Sequence, residues 1–439
     1  MKFKKSLVGL SVAGALLAMS GNAAASAFAL IEQSSGLGNA FAGGAAGAED
    51  ATTIFFNPAG MSRLKGSQVS VAGSYIKPTA KFGDTGSTGA ALQTKGGNGG
   101  DAGSWGLVPN AYMVTEIDPA LRFGLGINAP FGLKTEYDPT WMGRFQAITS
   151  KIQTVNVNPS LSYQMNDSVS LGLGVNYQHI SGDLTSAVNY SAAAFAAGGG
   201  ALLTAIGGAG KEGVSSMTGS DSAWGYNVGA LFNVTPATRV GLSYRSKITY
   251  TLKGSISFSN VPTALAASPT LANGDVTLPV NMPDTFQISA FHQLNDKWDL
   301  MADAARTGWG TFQQLVVSRT NGSVVQSTPE NWKNTWRFAL GSSYHYNEQW
   351  TARIGVAYDQ TPVPDAYRTA RIPDSNRTWL ALGGQYNTST SGKLDFGYAH
   401  LFMNDATIAN NQSATGGGNL VGTYTNSVDI LSVQYAYSF

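Results

Sequence analysis

Two-residue alternation runs from about residue 67 to residue 439, and its two faces differ in kind. Leu121, Phe123, Leu125 and Ile127 share one side of a strand, with Arg122, Gly124 and Gly126 on the other. Val169, Leu171, Leu173, Val175 and Tyr177 oppose Ser170, Gly172, Gly174 and Asn176. Tyr226, Val228, Ala230, Phe232 and Val234 repeat the arrangement, as do Ala352, Ile354, Val356 and Tyr358 opposite Arg353, Gly355 and Asp359. Successive side chains of a strand leave opposite faces, so each stretch reads as a strand with one apolar side. A soluble sandwich buries the bulky faces of two sheets against each other. Here the second face is Gly, Ser, Asn and Arg, so it lines something wet. Apolar outward and polar inward is what a closed barrel in lipid requires.

Composition agrees. Charged residues make up 12% of the chain, against roughly a quarter in soluble domains, and mean hydropathy is −0.06. The 53 glycines argue against long helices, where each costs about 1 kcal/mol, and suit bulges and a crowded interior. There is no cysteine, which removes disulfides, thiolate metal sites and cysteine nucleophiles. The net charge of +1, with no clustered basic face, offers nothing to nucleic acid. No cofactor and no metal ligand set is expected.

Met1 to Lys5 is a short basic stretch, and Ser6 to Ser20 is apolar but shorter than the ~20 residues that span a bilayer. Small residues at Ala23 and Ala25 complete a secretory signal, with cleavage expected between Ala25 and Ser26. The Gly-rich stretch 191–210 is a poor membrane span and reads as a loop with a short amphipathic helix.

Short Asn/Asp/Pro/Gly turns fall at 117–120, 165–168, 234–237, 294–297, 346–349 and 387–392. Long segments lie between them: 78–106, 131–150, 191–221, 259–274, 319–331, 361–375 and 404–424. Six short turns and seven long loops join fourteen strands, with both barrel ends on the periplasmic side and the short turns there. Tyr112, Tyr163, Trp224, Trp298, Trp350, Trp379 and Tyr398 sit near strand ends, as interfacial girdles do. The last strand alternates Leu431, Val433, Tyr435, Tyr437 and Phe439 with small or polar residues. Its terminal aromatic resembles the signal read by the barrel-insertion machinery.

Residues 26–66 do not alternate. This segment, leading into a barrel whose ends are both periplasmic, either hangs in the periplasm or folds back to fill the lumen, and a wide barrel is often plugged. Its features are Phe28, Glu32, Ser34-Ser-Gly-Leu-Gly38, Ala42-Gly43, Asp50-Ala51 and Asn57-Pro58-Ala59. They resemble the N-terminal hatch of the FadL-type family, the outer-membrane long-chain fatty acid transporters. Residues 128–178, beginning Asn-Ala-Pro-Phe-Gly-Leu-Lys, resemble the same family. The resemblance implies an all-β fold: a 14-stranded antiparallel transmembrane β-barrel with an N-terminal hatch plugging the lumen, divided as signal 1–25, hatch 26–66 and barrel 67–439. It also implies passive uptake of hydrophobic molecules through an extracellular groove, a hatch pocket and a lateral opening at a kink in the third strand.

The resemblance places the hatch motif at Asn57, Pro58 and Ala59 and the kink at Asn128, Ala129, Pro130, Phe131 and Gly132. Pro130 cannot donate to a ladder and Gly132 permits a bend. Pro159 on the next strand is expected to face the kinked strand, so that its missing hydrogen bond falls beside the opening. Phe28, Leu30 and Ile31 are candidates for the inner pocket, and Phe195, Leu202, Leu203 and Ile206 for the outer groove. Arg122, Arg337 and Arg353 fall on inward faces and are candidates to hold a carboxylate.

The expected partners are a fatty acid or other hydrophobic small molecule, outer-membrane lipid and lipopolysaccharide, and the insertion machinery through Phe439; the chain is expected to act as a monomer. Uptake of toluene-type monoaromatic hydrocarbons is the alternative cargo. A barrel enzyme such as a phospholipase is the rival class, but none of His179, His292, His345 and His400 sits in a nucleophile motif.

Overall fold

The structure, a computed structural model, describes residues 27–439. The expected signal, the cleavage pair Ala25–Ser26 and the first residue of the expected hatch lie outside that range. The wall opens with β1 (Ser67–Asp84), β2 (Gly106–Glu116), β3 (Leu121–Asn128), β4 (Gly132–Glu136), β5 (Thr149–Gln164), β6 (Val169–Asn189) and β7 (Glu212–Thr235). It continues through β8 (Thr238–Arg245), β9 (Ile248–Phe258), β10 (Gly274–Met282), β11 (Thr285–Asn295), β12 (Trp298–Thr307), β13 (Gln314–Arg319) and β14 (Val324–Pro329). It ends with β15 (Thr335–His345), β16 (Trp350–Asp359), β17 (Arg377–Asn387), β18 (Gly392–Met403), β19 (Ala406–Gln412) and β20 (Gly418–Ser438). Six of the wall strands bend part-way: β3 with β4, β8 with β9, β10 with β11, β12 with β13, β14 with β15, and β18 with β19. Counted as single strands they give a closed fourteen-stranded antiparallel barrel. β20 closes it on β1 from Gln68↔Ser438 to Asp84↔Gly422, and Phe439 exchanges backbone hydrogen bonds with Ser67 at 2.8 and 3.1 Å.

The alternation sets the faces. Along β16, Ile354, Val356 and Tyr358 are exposed while Arg353, Gly355, Ala357 and Asp359 are buried. The exposed side of the whole wall is rich in Leu, Val, Ile, Phe and Tyr, a surface only lipid covers at low cost. No helix among the described residues is long and apolar enough to cross a membrane. Two expected girdle residues point the other way. Tyr112 and Trp379 are buried inside, Trp379 with its ring 6.4 Å from Phe41 and under the Arg337 guanidinium at 5.2 Å. Tyr163, Trp224, Trp298, Trp350 and Tyr398 are exposed on the outer face.

All six short turns fall between strands as read. The long segments are shorter than read, because strands run on beyond the bilayer. β1 continues through Pro78 to Asp84, residues 324–329 form β14, and 406–412 form β19. The segment after β6 holds helix α1 (Tyr190–Ala205), broken at Gly198 and Gly199.

Residues 27–66 touch wall strands on every side: β3, β5 to β8, β11, β15 to β18 and β20. Only a position inside the barrel permits this. The fit depends on glycine. A Cβ on Gly355 would stand 2.2 Å from the Asn39 carbonyl carbon, and one on Gly241 would stand 1.9 Å from the Ala45 oxygen. Main chain therefore lies directly on main chain. Asn39 donates to the Ser342 carbonyl at 2.8 Å, and Asn57 donates to Ala45 at 2.7 Å and Ala230 at 3.0 Å.

Gly355→Val puts a branched side chain where backbone stands and cannot yield. In planar bilayers the variant is expected to pass small ions at least about tenfold faster than the parent, because a displaced segment unblocks the lumen. An unchanged, closed record would show that these residues do not obstruct the pore.

Candidate functional site: a wall break held by the leading segment

β2 and β3 pair only from Glu116↔Arg122 up to Ala111↔Ile127. Above that rung the third wall strand leaves its neighbour. β3 ends at Asn128, residues 129–131 turn inward, and β4 resumes against β5 alone. Residues 106–110 of β2 keep their pairing to β1 and face a gap. The gap closes higher up, where Gly103 bridges Thr135 and Glu136 donates to Ala102 at 3.0 Å.

The freed backbone is satisfied from inside. Leu30 N–H donates to the Pro130 carbonyl at 2.8 Å, and Gly132 N–H donates to the Phe28 carbonyl at 2.8 Å. Ala29 bridges Phe131. The Gln33 side chain clasps Ala129, donating to its carbonyl at 2.8 Å and accepting from its N–H at 3.4 Å. On the other side Thr154 holds Phe131, accepting its N–H at 2.9 Å.

Pro159 sits elsewhere than expected. The β3–β5 ladder is continuous through Leu125↔Pro159, and the interruption falls on β6, between Val157↔Tyr177 and Ser160↔Gly174. The missing donor is replaced locally, since Asn158 Nδ2 donates to the Val175 carbonyl at 2.9 Å. The opening therefore lies between β2 and the kinked strand, and Pro159 takes no part in it.

A cavity of about 120 Å³ adjoins the kink. Leu30, Ile31, Phe55, Pro130, Phe131 and Trp379 supply its apolar lining, and Arg245, Arg337, Asn227 and Gln287 its polar side. Of the inner-pocket candidates, Leu30 and Ile31 line this cavity. Phe28 does not line it; its ring is fully buried among Trp309, Phe312, Trp332 and Phe131, with centroids 4.7, 5.8, 5.6 and 6.1 Å away.

The three expected arginines separate. Arg122 lies low in the barrel, bonded to Glu116 at 3.1 Å and to the Leu64 carbonyl. Arg353 is neutralised by Glu49 and Asp395, each at 2.8 Å. Arg337 lines the cavity, donates to the Ala40 carbonyl, and keeps buried Nε and Nη1 without a hydrogen bond. Arg245 was not singled out from sequence; it lies over the Phe55 ring at 4.6 Å and donates to the Phe55 carbonyl at 2.9 Å.

Of the four outer-groove candidates, only Phe195 faces a groove, one of about 740 Å³ shared with Leu92, Phe145 and Val188. Leu202, Leu203 and Ile206 turn away and pack with Tyr190, Leu265 and Leu271.

The sequence model of the family described as "Outer membrane protein transport protein (OMPP1/FadL/TodX)" matches residues 16–439. The chain belongs to this family. It is 31% identical over 413 residues to the long-chain fatty acid transport protein of Escherichia coli K12, covering 89% of this chain and 91% of that one. It is 32% identical over its whole length to outer membrane protein P1 of Haemophilus influenzae, all of which is covered. The crystal structure of a Pseudomonas aeruginosa FadL homologue superimposes with a TM-score of 0.84 at 27% identity, over 96% of this chain and all of that one. The Ralstonia pickettii toluene transporter TbuX shares the fold at a TM-score of 0.64 and 22% identity, over 91% of this chain and 96% of that one. As a member of this family of hydrophobic-compound transporters, the chain resides in the bacterial outer membrane.

Two predictions concern the seat of the leading segment. Phe28→Ala removes a fully enclosed ring, a loss of about 3–5 kcal/mol. Hydrogen exchange at the Leu30 and Gly132 amides is expected to quicken at least about a hundredfold while the wall amides hold; equal exchange would show that the ring does not hold the kink.

The second concerns Glu32, whose carboxylate is buried with neither oxygen hydrogen-bonded. Burial pushes its pKa up to about 7, with Arg337 and Arg377 opposing the shift and Asp359 adding to it. A raised pKa means the folded seat favours the protonated acid. That stabilisation is complete below the ordinary carboxyl range and is lost as pH rises through about 7. After correction for intrinsic rates, the Gly132 amide should exchange more slowly at pH 5 than at pH 8, and Glu32→Gln should abolish the difference. A dependence surviving in Glu32→Gln would assign it to another group.

Proposed function

We propose that the chain carries hydrophobic molecules passively across the outer membrane, with long-chain fatty acids as its cargo. The observation that supports an acid-headed ligand is that Arg245 and Arg337 both line the cavity beside the wall break, on a polar side that faces Leu30, Ile31, Phe55, Phe131 and Trp379. Arg245 donates to Asn176 and to the Phe55 carbonyl and Arg337 to the Ala40 carbonyl, whereas Arg122 and Arg353 are bonded to acids. A pocket for plain hydrocarbon would gain nothing from buried guanidinium groups, which are costly to desolvate.

In this reading an acyl chain first lies in the groove by Phe195, gaining about 0.8 kcal/mol per buried methylene. It next occupies the cavity, and it leaves through the gap between β2 and the kink into the bilayer. Ligand pockets usually exceed about 300 Å³, so a long chain fits beside Ile31 only if residues 28–33 shift. The same residues hold the kink, so entry of the ligand and opening of the wall become one event. Residues 27–66 act as the plug. The chain works as a monomer, surrounded by lipid and lipopolysaccharide, with Phe439 exposed for the insertion machinery.

Monoaromatic cargo is the second reading. It is favoured by the aromatic enclosure of Trp309, Phe312 and Trp332, in which the Phe28 ring already sits as an aromatic guest would.

Equilibrium binding of radiolabelled oleate and of toluene to the purified chain separates the two. Arg337→Met and Arg245→Met are each expected to weaken oleate binding about ten- to a hundredfold, as loss of a hydrogen bond to a charged group does. Toluene binding with no oleate binding, or oleate binding indifferent to both substitutions, would contradict the acid-headed cargo.

A further inference from the structure

Beyond the cavity, the lumen carries a polar construction that apolar cargo does not need. Asn128 at the end of β3, Asn156 and Asn158 on β5, Asn176 on β6 and Asn227 on β7 all face inward on neighbouring strands. Each is at most 3% exposed. Their side chains bond in series. Asn156 Nδ2 donates to Asn128 Oδ1 at 3.2 Å and to Asn176 Oδ1 at 3.0 Å. Asn176 Nδ2 donates to Asn227 Oδ1 at 2.9 Å, and Asn158 Nδ2 reaches the same oxygen at 3.0 Å. Arg245 joins the row by donating to Asn176 Oδ1.

One end of the row is the cavity, which Asn227 and Arg245 line. The other end is the wall break. Asn110 of β2 stands one residue beyond the last β2–β3 rung, where the next rung would pair it with Asn128. It too is buried. The row is also incompletely satisfied: Asn110 Oδ1, Asn128 Nδ2, Asn156 Oδ1, Asn158 Oδ1 and Asn227 Nδ2 have no hydrogen bond, and the Tyr112 hydroxyl beside Asn128 has none of good geometry.

A buried polar group without a partner costs about 1–3 kcal/mol, and apolar side chains of the same size would avoid it. Spare donors and acceptors strung between a charged pocket and a hole in the wall are suited to a mobile polar group. A carboxyl head leaving the arginines would otherwise cross an apolar enclosure with no partners. Primary amides serve it whether ionised or protonated, because each offers a donor and an acceptor.

We propose that this asparagine row is a headgroup track, along which the carboxyl of an acid-headed apolar ligand passes from the Arg245–Arg337 cavity to Asn128 and Asn110 at the wall break. The inference rests on the reading of the cargo as acid-headed. It makes Asn128, Asn156 and Asn110 determinants of passage and not of binding.

The test pairs oleate binding to the purified full chain with oleate uptake by cells that depend on the chain for it, using Asn128→Leu, Asn156→Leu and Asn128→Gln. Both leucine variants are expected to bind oleate within about twofold of the parent and to take it up about tenfold or more slowly, the equivalent of one lost hydrogen bond. Asn128→Gln, which keeps the amide, should recover most of the rate. Unchanged uptake in the leucine variants would overturn the track, as would uptake lost alike in Asn128→Leu and Asn128→Gln, since shape and not hydrogen bonding would then matter. Binding lost together with uptake would overturn it too. Failure of the parent chain to bind oleate would instead remove the acid-headed cargo, and the track with it.

Discussion

A strand in a membrane wall cannot leave backbone groups unpaired, because lipid offers no partner and each orphan costs several kcal/mol. β3 nevertheless parts from β2 at Asn128. What makes this tolerable is that residues 28–33 stand inside the barrel as a substitute hydrogen-bonding partner. The bonds Leu30 to Pro130 and Phe28 to Gly132, with the Gln33 clasp on Ala129, take up the groups that β2 no longer serves. The break in the wall and the position of the leading segment are therefore one feature, and neither is stable in this form without the other.

The rest of the interior is arranged around that exchange. Inward glycines at Gly241 and Gly355 let the segment's main chain lie on the wall, which fixes its body while leaving its first residues attached chiefly through Phe28 and the kink. Most inward charge is paired. Arg353 meets Glu49 and Asp395, and Arg371 donates to the Thr149 carbonyl and the Ser150 hydroxyl of β5. Among the places where polar capacity is left over are Arg337 on the cavity and the asparagine row beside the break. A ligand that displaces residues 28–33 would meet both.

Much of this was legible in the sequence for a physical reason. A lipid-facing barrel imposes one rule on every strand, so the alternation repeats and the strand count follows from the turns. The kink was legible through Pro130 and Gly132, which local geometry explains. Misreadings arose where tertiary position decides. Pro159 looked like a flaw in the wall, but its neighbour Asn158 repairs the ladder on the far strand. Trp379 looked interfacial, yet its parity turns it onto Phe41. Arg122 and Arg337 share an inward parity and differ only in height and in the acids nearby, which a sequence does not display. Asn156 and Asn158 alternate with valines just as any lumen lining does, so only their contacts with Asn128, Asn176 and Asn227 mark them out. The bends that split β8 from β9 and β12 from β13 left no signal as plain as the Asn-Ala-Pro-Phe-Gly run.

The most direct measurement closes the break chemically. The chain has no cysteine, so Asn110→Cys with Asn128→Cys introduces the sole thiol pair, and a short bis-thiosulfonate can join them across the gap and be released by reductant. The account predicts that the residual oleate uptake of the unjoined double variant, already slowed by loss of the two amides, stops when the pair is joined and returns to its unjoined rate on reduction, while the reagent leaves the rate of either single variant unchanged. Uptake continuing through a joined wall at the rate of the unjoined double variant would mean that cargo leaves by another route.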